Sequence, residues 1–136
     1  MSATVPPAVL SAVAAVMLAF AAPSTGAADT ELQIRLWREG RGRGAVRTWT
    51  LRCDPAGGTL PRSARACGRL AGLQRPFAPV RKDVLCTQIH GGPQEALVSG
   101  RHRGARIAAR LSLTDGCQIE RWRRIGFLTP GYGGGR

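Results

Sequence analysis

Leu32, Ile34 and Leu36 interleave with Gln33, Arg35 and Trp37, the two-residue period of a half-buried strand. Gly40-Arg41-Gly42-Arg43-Gly44 interrupts it. No helix start with Lys-Ser or Lys-Thr comes after this glycine run, so it reads as a turn rather than a phosphate-binding loop. Val46 to Cys53 resumes strand character, with Trp49 and Leu51 on one face and Thr48 and Thr50 on the other. The two segments are expected to form a hairpin. Asp54-Pro55-Ala56-Gly57-Gly58-Thr59 carries the residues a turn requires, and Thr59 is placed to cap a helix beyond it. From Ser63 to Gln74, apolar side chains at Ala64, Cys67, Leu70, Ala71 and Leu73 keep the three-and-four spacing of one helix face.

Arg75-Pro76-Phe77-Ala78-Pro79-Val80 is a connection, because each proline pushes the residue before it towards extended geometry. Val84 and Leu85 then lead into Cys86-Thr87-Gln88-Ile89-His90-Gly91-Gly92-Pro93. This stretch starts at a cysteine, has no clear period and ends in Gly-Gly-Pro, so it reads as an exposed loop pinned at one end. A loop already ordered loses less conformational entropy on entering a partner's cleft than a free peptide does. Further on, Ala96-Leu97-Val98 and Arg106 to Leu113 are strand-like runs separated by Gly100-Arg101-His102-Arg103-Gly104. In the second run Ile107, Ala109, Leu111 and Leu113 alternate cleanly with Arg106, Ala108, Arg110 and Ser112. Thr114-Asp115-Gly116 offers a helix cap, and Ile119, Trp122 and Ile125 predict a short helix with Cys117 at its start. Phe127 and Leu128 read as a final short strand, and residues 131–136 as a glycine-rich disordered tail.

The apolar run Ala8 to Ala22, with small residues at Thr25 and Ala27, predicts a cleaved export signal over residues 1–27, although no Lys or Arg precedes it. A membrane span needs about 20 apolar residues, so no membrane attachment is expected after cleavage. One domain is left, residues 28–130, outside the cytoplasm. There the four cysteines Cys53, Cys67, Cys86 and Cys117 are expected to form disulfides, with three pairings open. A zinc site fits poorly, since the spacings lack a C-x-x-C step and a nearby histidine pair, and nothing calls for a cofactor.

The formal charge of +12 lies wholly beyond residue 27, and Lys82 is the one basic residue that is not arginine. Such a field attracts nucleic acid, an anionic polymer or an acidic protein surface. With the arginines scattered and no recognition module present, nucleic acid is not expected as a partner. Enzyme chemistry finds no support either. His90 and His102 stand in no nucleophile motif, and Asp54, Asp83, Asp115 and Glu120 look like turn, cap and surface residues. Trp37, Trp49 and Trp122 fit core or dimer contacts better than a stacking platform.

Thr50-Leu51-Arg52-Cys53-Asp54-Pro55-Ala56-Gly57-Gly58-Thr59-Leu60-Pro61, followed by Ala66-Cys67-Gly68-Arg69-Leu70, resembles the T-L-x-C-x-P-x-G-G-x-x-P…A-C-x-x-L pattern of the Streptomyces subtilisin inhibitor family. Val84-Leu85-Cys86 and Cys117 extend the resemblance to about Leu32 through Leu128. It implies a secreted serine protease inhibitor of α+β class: a five-stranded antiparallel sheet with two short helices packed on it, two disulfides, and a homodimer made through the sheet. The disulfides it implies are Cys53 with Cys67 and Cys86 with Cys117. Its reactive bond maps to Gln88-Ile89, with Leu85, Cys86 and Thr87 preceding Gln88 and His90 following Ile89 in the contact loop. The implied partner is an extracellular subtilisin-like protease.

The chain departs from the family pattern in two places. Gln88 stands where family members commonly carry Met, Leu, Lys or Arg, and one extra residue precedes Pro93, where Gly91-Gly92 is expected to loosen the loop. The competing class is a non-inhibitory, arginine-rich extracellular protein that binds a polyanion or an acidic protein.

Overall fold

The computed structural model describes residues 1–4 and 29–132. Strands β1 (Thr30–Trp37) and β2 (Val46–Cys53) form an antiparallel hairpin that pairs Thr30 with Cys53 and Trp37 with Val46. Helix α1 (Ser63–Ala71) comes next, then the long irregular segment 72–94. A second hairpin joins β3 (Glu95–His102) to β4 (Ala105–Ser112), and helix α2 (Gly116–Ile125) runs into a 3-10 turn over Gly126–Leu128. β1 and β3 pair antiparallel and weld the hairpins into one sheet of order β2-β1-β3-β4.

The period-two alternation decides which face of this sheet is covered. β1 buries Thr30, Leu32, Ile34 and Leu36 and exposes the residues between them. Leu51 and Cys53, Ala96 and Val98, and Ala109 and Leu111 continue the same buried face across the other strands. Ala66 and Leu70 of α1 and Trp122 and Ile125 of α2 close over it, α1 at the β2 side and α2 at the β4 side. Each large side chain so buried is worth about 1.5–3 kcal/mol relative to leaving it in water. The opposite face is open, and its residues include Gln33, Arg35, Thr50, Arg52, Arg101, Arg106 and Arg110.

Among the described residues the sheet has four strands, not the five that the resemblance implies. Phe127 and Leu128, expected as a strand, are held in a 3-10 turn because the Thr129 N–H and hydroxyl both donate to the Gly126 carbonyl. Trp122 Nε1 donates to the same hydroxyl oxygen at 3.0 Å, which fixes this corner beneath the core. Thr59 does not cap α1. Its N–H and hydroxyl exchange hydrogen bonds with Thr50 at 3.1 and 2.9 Å, extending the β2 edge, and Arg62 takes the N-cap position with no side-chain cap bond. The buried face of α1 is consequently built on Ala66 and Leu70, while Ala64 and Ala71 are exposed.

Two disulfides, Cys53–Cys67 and Cys86–Cys117, tie β2 to α1 and the long segment to α2. Arginines hold the first part of that segment. Arg103 donates to the Ala71 and Leu73 carbonyls, Arg124 to that of Gln74, and Arg121 to those of Phe77 and Ala78. A backbone without strand or helix partners thus has its acceptors satisfied by guanidinium groups. The expected export signal lies, from residue 5 onward, outside the described residues, as does the tail beyond Tyr132. No helix among the described residues is long and apolar enough to cross a membrane.

Candidate functional site

Residues 85–92 run irregularly between the end of the arginine-held segment and β3. Leu85 is 99% exposed, Ile89 56% and Val84 45%. Among the described residues the other exposed large apolar side chains are Met1 and Val46, so apolar surface left in water is concentrated on this one stretch. Apolar side chains gathered outside a core mark a surface that another molecule covers.

Although exposed, the stretch is fixed at both ends. On one side Cys86 is bonded to Cys117, and the Thr87 carbonyl accepts a 2.9 Å hydrogen bond from the Gly116 N–H. On the other side the Gly91 N–H donates to the Leu113 carbonyl at 2.7 Å. Gln88, Ile89 and His90 span the gap between these anchors, all exposed. The Gln88 carboxamide folds back to donate to the Cys86 carbonyl at 3.3 Å.

The anchoring groups come from the end of β4 and the start of α2. Asp115 caps α2 by accepting from the Gln118 N–H at 2.9 Å, which sets the first turn where Gly116 and Cys117 meet the loop. Glycine at 116 lets Thr87 lie close against this turn: a Cβ there would lie 2.0 Å from Thr87 Oγ1, and the side chain would have to turn away. Gly91 is also closely packed, since a Cβ would meet Ile119 and Leu113 at 3.1 Å. Gly91 is therefore a tie point and not the slack its sequence neighbourhood suggests.

Arg121 stands behind the site. From α2 its guanidinium donates to the Ala78 carbonyl at 2.9 Å, to that of Phe77 at 3.3 Å and to that of Arg110 on β4, joining α2 to β4 and to the connection that precedes the loop. Burial lowers its pKa. The sequence-predicted loop residues Leu85 through His90 thus form one continuous segment, exposed except at the half-buried Cys86. Gly116, Leu113, Ile119 and Arg121 enter as supports, where sequence pattern alone makes them turn, core and surface. The D-G pair at a helix start is the available signal for Gly116, and for Arg121 there is none.

The remaining cysteines and histidines lie in separate settings. Cys86, Cys117 and Asp115 place potential ligand atoms within 4.8 Å of one another, but both sulfurs are committed to a disulfide and offer no thiolate. His90 is exposed in the loop. His102 is buried at the end of β3, its Nδ1 3.1 Å from the Thr30 hydroxyl and its ring edge-on to Phe77. Desolvation, with a smaller push from Arg103 that Asp29 partly offsets, holds its pKa below the usual imidazole value.

The family model for subtilisin inhibitor-like proteins matches residues 29–113. The chain belongs to the subtilisin inhibitor-like family. The match takes in all four strands, the first disulfide and the whole loop, and stops short of α2 with Cys117. No curated protein matches the chain.

Proposed function

We propose that this protein is exported and inhibits a subtilisin-like serine protease by presenting Gln88-Ile89 as a near-substrate. Family membership supports the inhibitory class, and the observation that carries the site is the exposed apolar segment tied down on both sides of one peptide bond. In the enzyme's cleft the Gln88 carbonyl would occupy the oxyanion hole, with Leu85 reaching an apolar subsite upstream.

The two anchors explain how a substrate-like segment resists consumption. Attack by the catalytic serine forms an ester at the Gln88 carbonyl carbon and releases the Ile89 amine. That amine stays beside the ester, because Gly91 is bonded to Leu113 and Thr87 to Gly116. Its return attack expels the serine oxygen and restores the peptide bond, so cleavage and resynthesis stay balanced. An ordinary peptide product diffuses away instead, and the pre-oriented amine here has the high effective concentration of an intramolecular reactant.

Gln88 tunes which enzyme is bound. In an apolar specificity pocket its carboxamide loses hydrogen bonds to water, a cost of about 1–3 kcal/mol. Gln88→Leu is expected to tighten inhibition of a subtilisin about tenfold, and Gln88→Pro to abolish it. The test is active-site titration of subtilisin-like and trypsin-like proteases with oxidised and reduced protein. Stoichiometric inhibition by the oxidised form alone supports the reading, whereas rapid cleavage elsewhere in the chain, with no enzyme inhibited, overturns it. We assign the homodimer of this family to the open face of the sheet, which leaves the loop and both helices free.

A further inference from the structure

Between α1 and the end of α2 lies a second feature that inhibition does not use, a groove of about 590 Å³. Arg62 at the N-cap of α1 lines it together with Arg65 and Arg69 of the helix, Arg123 of α2 and Phe127 of the 3-10 turn. No carboxylate lines it, and the acidic partner within reach is Glu120, 3.6 Å from Arg123. Among the described residues only one other ion pair, Arg81–Asp83, is present, so the positive charge of this groove is not balanced from within the fold.

We infer that this groove binds a linear, base-free phosphodiester polymer. Arg65 and Arg69 are four residues apart, about 6 Å along the axis of α1 and on one side of it, and Arg62 extends the row from the left-handed N-cap position. Guanidinium groups bind phosphate oxygens with paired, charge-assisted hydrogen bonds, and a row of them suits an anion repeating along a chain. A protein partner is disfavoured because such interfaces centre on apolar or aromatic anchors, and none of the exposed large apolar side chains lies here. Nucleic acid is disfavoured because the one aromatic ring lining the groove, Phe127, already carries the Arg69 guanidinium at 4.4 Å, and no further aromatic side chain lines it to stack successive bases.

The groove opens at the C-terminal end of α2, and the loop is anchored at its N-terminal end, a helix length of about 15 Å away. The open sheet face lies on the other side of the sheet from both helices. A molecule held through the groove therefore keeps its loop free, and such a polymer would retain the inhibitor on an anionic surface.

The test is binding of the oxidised full-length protein to immobilised poly(glycerol phosphate) across a salt series. Neutralising the row, with Arg62→Gln, Arg65→Gln and Arg69→Gln together, is expected to lower affinity at least tenfold. It should also reduce the slope of log affinity against log salt by about 2, the share of three phosphate contacts on a flexible chain. Removing the same charge from the β1–β2 turn region, with Arg41→Gln, Arg43→Gln and Arg47→Gln, should cost less than threefold. Equal losses in both triples would mean diffuse attraction and overturn the site. Single-stranded DNA of matched charge binding more than tenfold tighter, or polyglutamate binding as tightly, would overturn the choice of polymer. If the first triple fails to fold, the double variant Arg65→Gln, Arg123→Gln carries the test, with at least a fivefold loss expected and an unchanged affinity counting against the groove.

Discussion

At the scale of single residues the loop depends on an absence of atoms at Gly116. A Cβ at this position overlaps Thr87 Oγ1, so Gly116→Ala must turn the Thr87 side chain or shift the loop against its 2.9 Å hydrogen bond to the α2 backbone. The variant is expected to be cleaved at Gln88-Ile89 at least tenfold faster than the parent by a subtilisin, with only a few degrees lost from Tm. Adding Thr87→Ala removes the clashing oxygen and leaves Thr87 Cβ at an ordinary 3.4 Å, so the double variant should recover slow cleavage. Persistent fast cleavage in the double variant would show that the contact does not order the loop. His102 makes a separate point about pH. Its folded pKa is lowered, so the unfolded chain binds the proton first as pH falls. The imidazole sits between Thr30, Phe77 and Arg103, with Asp29 as its one acidic neighbour, and Nε2 has no partner to receive a second N–H bond. Its contribution to stability is full above the unfolded value of about 6.5 and is lost as pH falls through the lower folded value. Denaturant midpoints measured from pH 8 to 4 should fall below about pH 6.5, and His102→Gln should remove that part of the slope.

Elements rather than residues decide whether the long connection holds its shape. Arg121 satisfies carbonyls from two elements besides its own helix, so Arg121→Met leaves three acceptors without their donor and should cost about 2–3 kcal/mol. Arg121→Lys keeps the charge but not the planar fork, and is expected to recover less than half of that loss in a urea titration. Full recovery by lysine would reduce the role to simple charge. This layer is the hardest to see in the sequence. β4 is plain because Ile107, Ala109 and Leu111 alternate strictly with residues that face the open side, and the β1–β2 hairpin is plain for the same reason. α2 comes from Asp115 and the Trp122, Ile125 spacing. The face of α1 is misplaced by small residues, because Ala64, Ala66 and Ala71 look alike in a pattern and only packing chooses Ala66. Phe127 and Leu128 have strand-forming side chains, yet local bonds from Thr129 close them into a turn that no two-residue pattern announces. The loop is legible through Cys86 and Gly-Gly-Pro, and its supports are not, because each anchoring bond comes from backbone groups distant in the chain.

Over the whole molecule the arginines fall into populations with different tasks, and salt separates them. Arg103, Arg121 and Arg124 are occupied by main-chain carbonyls, whereas those of the groove and of the open sheet face look outward. On the sheet, register sets Arg52, Glu31, Arg101 and Arg106 in one cross-strand row and Arg35, Leu97 and Arg110 in another, with Thr50, Gln33, Ser99 and Ala108 between them. Two such faces brought together in a dimer place cations against cations, with Glu31 as partial relief. Area burial favours that contact and Coulomb repulsion opposes it, and the repulsion is short-ranged once the screening length drops from about 10 Å at 0.1 M salt to about 3 Å at 1 M. Self-association should therefore strengthen as salt is raised, by about tenfold over this range in sedimentation equilibrium. Polyanion binding at the groove must weaken over the same range, because it releases counterions. The opposite signs make the two surfaces distinguishable in one titration. A dimer that weakens with salt would mean that its contact is made of complementary charges, which the rows of this face do not supply, and would move the interface to another part of the molecule.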